Sequence, residues 1–288
     1  MENEDQIQQA SESKYQCLLF DLDDTLYPLS SGLSAEVTKN IQEYMLQKLG
    51  VEGSKVPELN HFLYKNYGTT MAGLKAFGYD FDPDDFHSFV HGRLPYDMLK
   101  PDPTLRSLLL SLPVRKVIFT NADKAHAARV LSRLGLEDCF EGIICFETLN
   151  PTASNKGSEA LDDDDELGST ENFDINEDSC RPTADPELPK PVVVCKPFEE
   201  AFDKVFKIAN IKPHKTFFFD DSIQNLQTGK RMGLHTVRVG ASHRTEVVDC
   251  ALESIHNIRE ALPALWVANE SECLAKSGKV AIETSVEA

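Results

Sequence analysis

The sequence predicts an α/β fold: a parallel sheet with helices on both faces, plus a small helical module inserted after the first strand. Three observations predict it. Short apolar, strand-like runs recur at 16–20, 114–119, 142–146, 192–195, 215–219 and 234–239. Helical periodicity separates most of them, and strand alternating with helix implies a parallel sheet covered on two sides. From Tyr27 to about Pro113 the alternation stops, and the apolar pattern is helical throughout.

Taken in order, residues 1–14 are polar, with four acids and one base, and are expected to form a disordered tail. The run Cys17-Leu18-Leu19-Phe20 opens the core. In the helical module, Ser34 is expected to cap a helix whose Val37, Ile41, Tyr44, Met45 and Leu49 share one face before Gly50. Shorter helices are expected near 57–66, 69–77 and 83–91. After the run at 114–119, residues 123–134 place Ala127, Val130, Leu131 and Leu134 at helical spacing, with Gly135 as the stop. Residues 197–209 begin with Pro197 at a favourable first position and carry Phe198, Ala201, Phe202, Val205 and Ala209 on one face. Residues 222–232 follow Ser222 as an N-cap and end at Gly233. The expected organisation is a core of 15–27 and 114–262, a helical module at 28–113, an acidic insert at 150–191 and a tail at 263–288.

The bulk properties exclude several function classes. The 288 residues are 41% hydrophobic, enough for a core. The formal net charge is −18, which argues against a nucleic acid polymer as partner, because phosphate backbones need Lys and Arg. Residues 151–191 hold twelve acids and three bases, a net of −9. The acidity is therefore mostly that of tail and insert and says little about a substrate. By composition the insert is a disordered, solvated excursion; the alternative is an acidic docking segment for a protein partner. The seven cysteines are odd in number and include no Cys-x-x-Cys, so neither a disulfide framework nor a zinc site is suggested. No apolar run approaches the ~20 residues needed to span a bilayer, and no secretory signal is visible. A cytoplasmic location without membrane attachment is expected, with nuclear entry left open.

Four separated segments carry chemistry. In Asp21-Leu22-Asp23-Asp24-Thr25, an apolar strand empties into clustered carboxylates. Such clustering costs free energy unless a cation or a charged reaction offsets it. In Val117-Ile118-Phe119-Thr120-Asn121, a strand ends in a hydroxyl, which suits phosphate at the following helix N-terminus as well as an ordinary turn. Lys196 follows the apolar run 192–195 directly, a costly place for a Lys without a partner. In Phe217-Phe218-Phe219-Asp220-Asp221-Ser222, aromatics again drive into two carboxylates. Mg²⁺ is commonly held by one or two carboxylates with waters and phosphate oxygen, while Asp-Asp-Ser is also an ordinary helix start. The eight histidines are scattered, none at ligand spacing from these segments, and His235 reads as structural.

The motif Asp-x-Asp-x-Thr after an apolar strand, with the three later segments in this order, resembles the haloacid dehalogenase-like (HAD) phosphohydrolases over residues 15–262. The resemblance implies a Rossmann-like core, the helical insert as a cap over the site, and a Mg²⁺-dependent phosphomonoesterase. Asp21 would be the nucleophile and Asp23 the acid and base. Thr120 and the Asn121 backbone would bind the phosphoryl group, and Lys196 would neutralise it. The metal would take the Asp21 carboxylate, the Asp23 backbone carbonyl and Asp221, with Asp220 a direct ligand or a neighbour behind it. Asn225 stands where many members carry a further Asp and would orient a metal-bound water or Lys196. Asp24 reads as a local hydrogen-bonding residue. Within the superfamily the chain is most similar to the pyrimidine 5′-nucleotidase type, on Asp21 to Pro28, His91-Gly92-Arg93-Leu94-Pro95-Tyr96-Asp97, Cys195-Lys196-Pro197 and Asp220-Asp221-Ser222. That likeness implies a nucleoside monophosphate substrate and brings Arg93 and Tyr96 toward it, or leaves 94–96 as packing between cap and core. The alternatives are a sugar- or vitamin-phosphate phosphatase, a phosphomutase, or a non-catalytic phosphate-binding regulator.

Overall fold

A computed structural model describes residues 14–151 and 188–266. All but the last residue of the expected tail at 1–14, most of the acidic insert at 150–191 and most of the tail at 263–288 lie outside the described residues. Six strands form one parallel sheet in the order β3-β2-β1-β4-β5-β6. They are β1 (Cys17–Phe20), β2 (Arg115–Phe119), β3 (Gly142–Ile144), β4 (Thr216–Asp220), β5 (His235–Val239) and β6 (Cys250–Leu252). The strand order reverses direction at β1, between β2 and β4. In open α/β sheets a crevice forms at that point, beyond the carboxyl ends of the strands.

Successive residues of a strand face opposite sides, and the core divides accordingly. Leu18 and Phe20 of β1, with Ile118 and Phe219, pack against α5 (Pro103–Ser111), α6 (Lys124–Leu134) and α10 (Ile258–Ala261). Cys17 and Leu19, with Val117 and Phe218, pack against α8 (Glu199–Ile208) and α9 (Ile223–Arg231). Helices thus cover both faces, as the alternation predicts.

The helices between β1 and β2 build a core of their own. They are α1 (Leu33–Gln47), α2 (Val56–Tyr67), α3 (Thr70–Ala76) and α4 (Pro83–Val90). Tyr44, Leu63, Tyr67, Met71, Phe86 and Val90 meet in a third cluster, joined by Phe146 and Cys195 from the sheet side. Phe146 opens α7 (Phe146–Leu149). Leu105 and Leu109 of α5 belong instead to the first sheet cluster, so the expected range 28–113 divides between two cores.

Three local expectations are corrected. Residues 192–195 form no strand; the Asn150 side chain takes both backbone groups of Val194, at 2.8 and 3.0 Å, in place of a neighbouring strand. Ser34 does not cap α1; Gly32 holds the N-cap position, and the Ser34 hydroxyl donates to Asp24 Oδ2 at 2.6 Å. Pro197 precedes α8 rather than starting it, with Phe198 at the N-cap. Ser222 does hold the N-cap position of α9, but its side chain makes no capping bond. The short β6 carries no sequence signal of its own. No helix among the described residues is long and apolar enough to cross a membrane.

Gly68 ends α2 where the helical module touches the Lys196 segment. Its φ is 76°, and a Cβ there would lie 2.1 Å from the Lys196 carbonyl oxygen. Gly68→Ala is expected to lower stability by at least about 1–2 kcal/mol from the left-handed backbone alone, with the clash adding more. Thermal unfolding checks this; an unchanged melting temperature would contradict the close approach.

Candidate active site

Pairing sets three of the four segments side by side. β1 pairs in register with β2 and β4, Phe20 lying beside Ile118 and Phe219. The residues just past these strands therefore converge on one crevice. Lys196 reaches into it, only 1% exposed. Its ammonium donates to Asp21 Oδ1 at 2.7 Å, Asp220 Oδ2 at 2.8 Å and the Phe119 carbonyl at 2.9 Å. All three ammonium protons are thus accounted for. Burial disfavours the Lys196 charge, but Asp21 and Asp220 outweigh it and keep it protonated. Lys196 is held in turn by Asn121, whose Oδ1 accepts from Lys196 N at 2.8 Å and whose Nδ2 donates to Lys196 O at 3.0 Å.

Asp21, Asp220 and Asp221 each bring a carboxylate oxygen within 4.8 Å of the others. Burial pushes the Asp21 carboxyl up; Lys196 pulls it down, and Asp220, Asp221 and Asp23 push it up again. Burial, with Asp220 and Asp24 beside it, pushes Asp221 up to about 7. One buried ammonium does not neutralise this cluster, and a divalent cation fits the remaining charge. Asp220 is the least available of the three. Besides Lys196 it accepts from Ser222 N at 2.8 Å and from Asn225 Nδ2 at 3.0 and 3.1 Å. Asn225 therefore orients Asp220, and through it Lys196, rather than bonding Lys196 itself. Thr120 is buried, and its hydroxyl oxygen accepts from Ala122 N at 3.1 Å, which leaves the O–H free to donate.

A cavity of about 220 Å³ opens above these groups. Asp21, Asp23, Thr120, Asn121, Lys196, Asp221 and Asn225 line its floor. Val37, Ile41, Met71, Phe86 and Val90 of the helical module give it an apolar roof, with Tyr64 and His87 at polar points. Arg93 and Tyr96 do not line it. Arg93 is ion-paired with Glu43 at 2.7 Å and lies over the Phe89 ring. Tyr96 is buried with Leu94 in the sheet-side cluster, so the packing alternative describes 94–96 better.

Residues 15–162 match the family described as haloacid dehalogenase-like hydrolase. The chain belongs to this family. It is 33% identical over 132 residues to phosphate metabolism protein 8 of Saccharomyces cerevisiae, a match that covers 43% of this chain and 41% of the yeast protein. Similar solved structures include the HAD-hydrolase YfnB from Bacillus subtilis bound to magnesium, at 17% identity and a TM-score of 0.48, covering 85% of this chain and 97% of that one. A HAD phosphatase from Thermococcus onnurineus is similar at 14% identity and a TM-score of 0.49, covering 85% and 96%.

Beside the expected carboxylates, this HAD hydrolase holds a group of side chains that the sequence did not single out. Tyr27 donates its hydroxyl to Asp23 Oδ1 at 2.6 Å, and His126 Nε2 lies 2.7 Å from the same oxygen. Burial opposes the Asp23 charge, yet His126 and Tyr27 hold its carboxyl at about 2. Asp123 caps α6 by accepting from His126 N at 2.9 Å, and its other oxygen meets His91 Nδ1 from the end of α4. The helical module and the sheet are therefore tied together beside Asp23. The one available signal was Asp123 three residues before His126, which fixes that imidazole on the first turn after β2.

His87 stacks beside His91, and its Nδ1 is buried without a hydrogen-bond partner among the described residues. Burial, with His91 close by, pushes its pKa down to about 4. Between the ordinary value near 6.5 and about 4, the unfolded chain takes up a proton that the folded chain refuses. Stability is therefore lost as pH falls through that window. His87→Phe is expected to flatten this acid loss, measured as melting temperature from pH 7 to pH 4. An unchanged pH slope would show that His87 stays accessible to protons.

Proposed function

We propose that the chain is a Mg²⁺-dependent phosphomonoesterase that works through an aspartyl-phosphate on Asp21. The carrying observation is Lys196 Nζ bonded to both Asp21 and Asp220 on the floor of a cavity that Asp23 also lines. A lysine held by two carboxylates presents one of them, Asp21, with its orientation set and the other, Asp220, as a counter-charge. Asp21 attacks phosphorus, and the bond to the leaving oxygen breaks. Asp23 gives that oxygen a proton. It then takes a proton from the water that displaces Asp21 and releases inorganic phosphate. Asp23 is ionised in the resting chain, so it enters the acid role by taking up a proton as the phosphoryl anion binds beside it and raises its proton affinity. The Thr120 hydroxyl donates to a phosphoryl oxygen, with the Asn121 backbone N–H, while the Asn121 side chain keeps Lys196 in place. A Mg²⁺ held by Asp21, Asp221 and the Asp23 carbonyl, with Asp220 behind them, would supply further charge neutralisation for the phosphoryl group.

For substrate we propose nucleoside 5′-monophosphates of the pyrimidine type. The sequence likeness supports this, and so does an apolar roof broken by few polar groups, which suits a flat base. With Arg93 and Tyr96 outside the cavity, base contacts fall to Tyr64, Phe86 and His87. The test is phosphate release from UMP, CMP, purine monophosphates, sugar phosphates and pyridoxal phosphate, with Mg²⁺ and with chelator. Expected is Mg²⁺-dependent turnover highest for UMP and CMP. Preference for another ester would keep the mechanism and discard the nucleotidase reading. Absence of net release from every ester would favour a mutase or a binding protein.

A further inference from the structure

Two side chains that this mechanism leaves unused converge on one oxygen of Asp23. Tyr27 stands one turn after Asp23, and its ring is buried in the same cluster as Phe20 and Leu94. Burial and Asp23 hold its phenol protonated, well above the ordinary range, so it serves Asp23 Oδ1 only as a donor. His126 is 1% exposed and sits on the first turn of α6. The far side of its ring is fixed as well. The Tyr96 hydroxyl lies within hydrogen-bond reach of both the His91 carbonyl oxygen, at 3.0 Å, and His126 Nδ1, at 2.9 Å; by donating to Nδ1 it leaves the N–H of the neutral ring at Nε2. With Nδ1 engaged there, Nε2 is aimed at Asp23 Oδ1.

The two carboxylate oxygens of Asp23 are thus unequal. Oδ1 takes the bonds from Tyr27 and His126, and no described residue donates to Oδ2. A carboxylate held at one oxygen by donors from two separate elements loses its freedom to rotate about the Cβ–Cγ bond. We propose that His126 and Tyr27 are positioning residues that pin Asp23 Oδ1, so that Oδ2 is the oxygen that exchanges protons with the leaving group and the attacking water. The inference rests on the role of Asp23 proposed above. It gives these two residues a part in the reaction without contact to the substrate. Misplacing a reacting group by about 1 Å can cost ~10²-fold in rate, so the fixed ring stack behind Asp23 has a kinetic purpose.

The test uses the leaving group. Departure of an alkoxide from an alkyl phosphate needs a proton, whereas p-nitrophenolate leaves without one. Values of kcat/KM are compared for the best alkyl ester of the panel and for p-nitrophenyl phosphate, in His126→Ala, His126→Gln, Tyr27→Phe and Asp23→Asn. The expectation is that His126→Ala and Tyr27→Phe lower the alkyl ester by roughly 10- to 100-fold and the aryl ester far less. His126→Gln, which can still donate toward Asp23, recovers most of the loss. Tyr27→Phe and His126→Gln keep nearly the native bulk, so a folding defect in His126→Ala does not decide the outcome. Equal losses on both esters, or none, with Asp23→Asn still selective against the alkyl ester, would overturn the positioning role alone. A non-selective Asp23→Asn would overturn the acid assignment itself.

Discussion

Asp21→Asn is expected to abolish turnover, with kcat falling at least about 10³-fold, in the range seen when a nucleophile is removed from other enzymes. The amide has the shape of the carboxylate and still accepts from Lys196, whose bond to Asp21 Oδ1 is 2.7 Å in the native chain. It has no oxygen able to form and later release an acyl phosphate. The fold is expected to survive, because the substitution also removes one of the carboxylates that push one another up around Asp220 and Asp221. Single-turnover phosphate release and melting temperature, measured on one preparation, separate the two effects. Native-like turnover with a native melting temperature would end the assignment of Asp21.

Lys196→Met has the largest expected effect on stability. The native ammonium is buried between two carboxylates, at 2.7 and 2.8 Å. Removing one partner of a buried ionic group leaves the others uncompensated, a loss of about 3–5 kcal/mol. At roughly 2–4 °C per kcal/mol for a chain of this size, the melting temperature falls by on the order of 10 °C. The pH dependence gives an internal check. Without Lys196, whose charge pulls Asp21 down, that carboxyl stands still further above its unfolded value. The folded variant then binds more protons than the unfolded chain, so its stability rises as pH falls. The gap to the native protein should narrow from pH 8 to pH 5, followed by thermal melts in chelator. A gap that stays constant would mean that Lys196 acts through packing rather than charge.

The legible part of the site consisted of residues that terminate strands. Asp21, Thr120 and Asp220 each follow an apolar run, and a parallel sheet in register brings such ends together whatever the helices do. Lys196 Nζ meets Asp21 and Asp220, but not from the end of a strand. It follows a segment that is not a strand but is held by the side chains of Asn150 and Asn121. An extended chain fixed by side-chain amides has the same apolar signature as a strand, because here too alternate residues, Val193 and Cys195, pack against one cluster. Likeness of a short stretch leaves Arg93 and Tyr96 either facing the substrate or packing, and Glu43 and the sheet-side cluster claim them.

By itself, the sequence determined five of the six strands, most of the helices, the order of the four chemical segments and the family to which they belong, because strand and helix periodicities and strand-end residues are local properties of the chain. Only the tertiary structure decided how those residues share their hydrogen bonds. Asp220 is spent on Lys196, Ser222 and Asn225, and His126, over a hundred positions from Asp23, closes on its carboxylate. These pairings depend on the setting of α6 and the helical module against the sheet. That setting follows from the packing of whole clusters, which no window of neighbouring residues encodes.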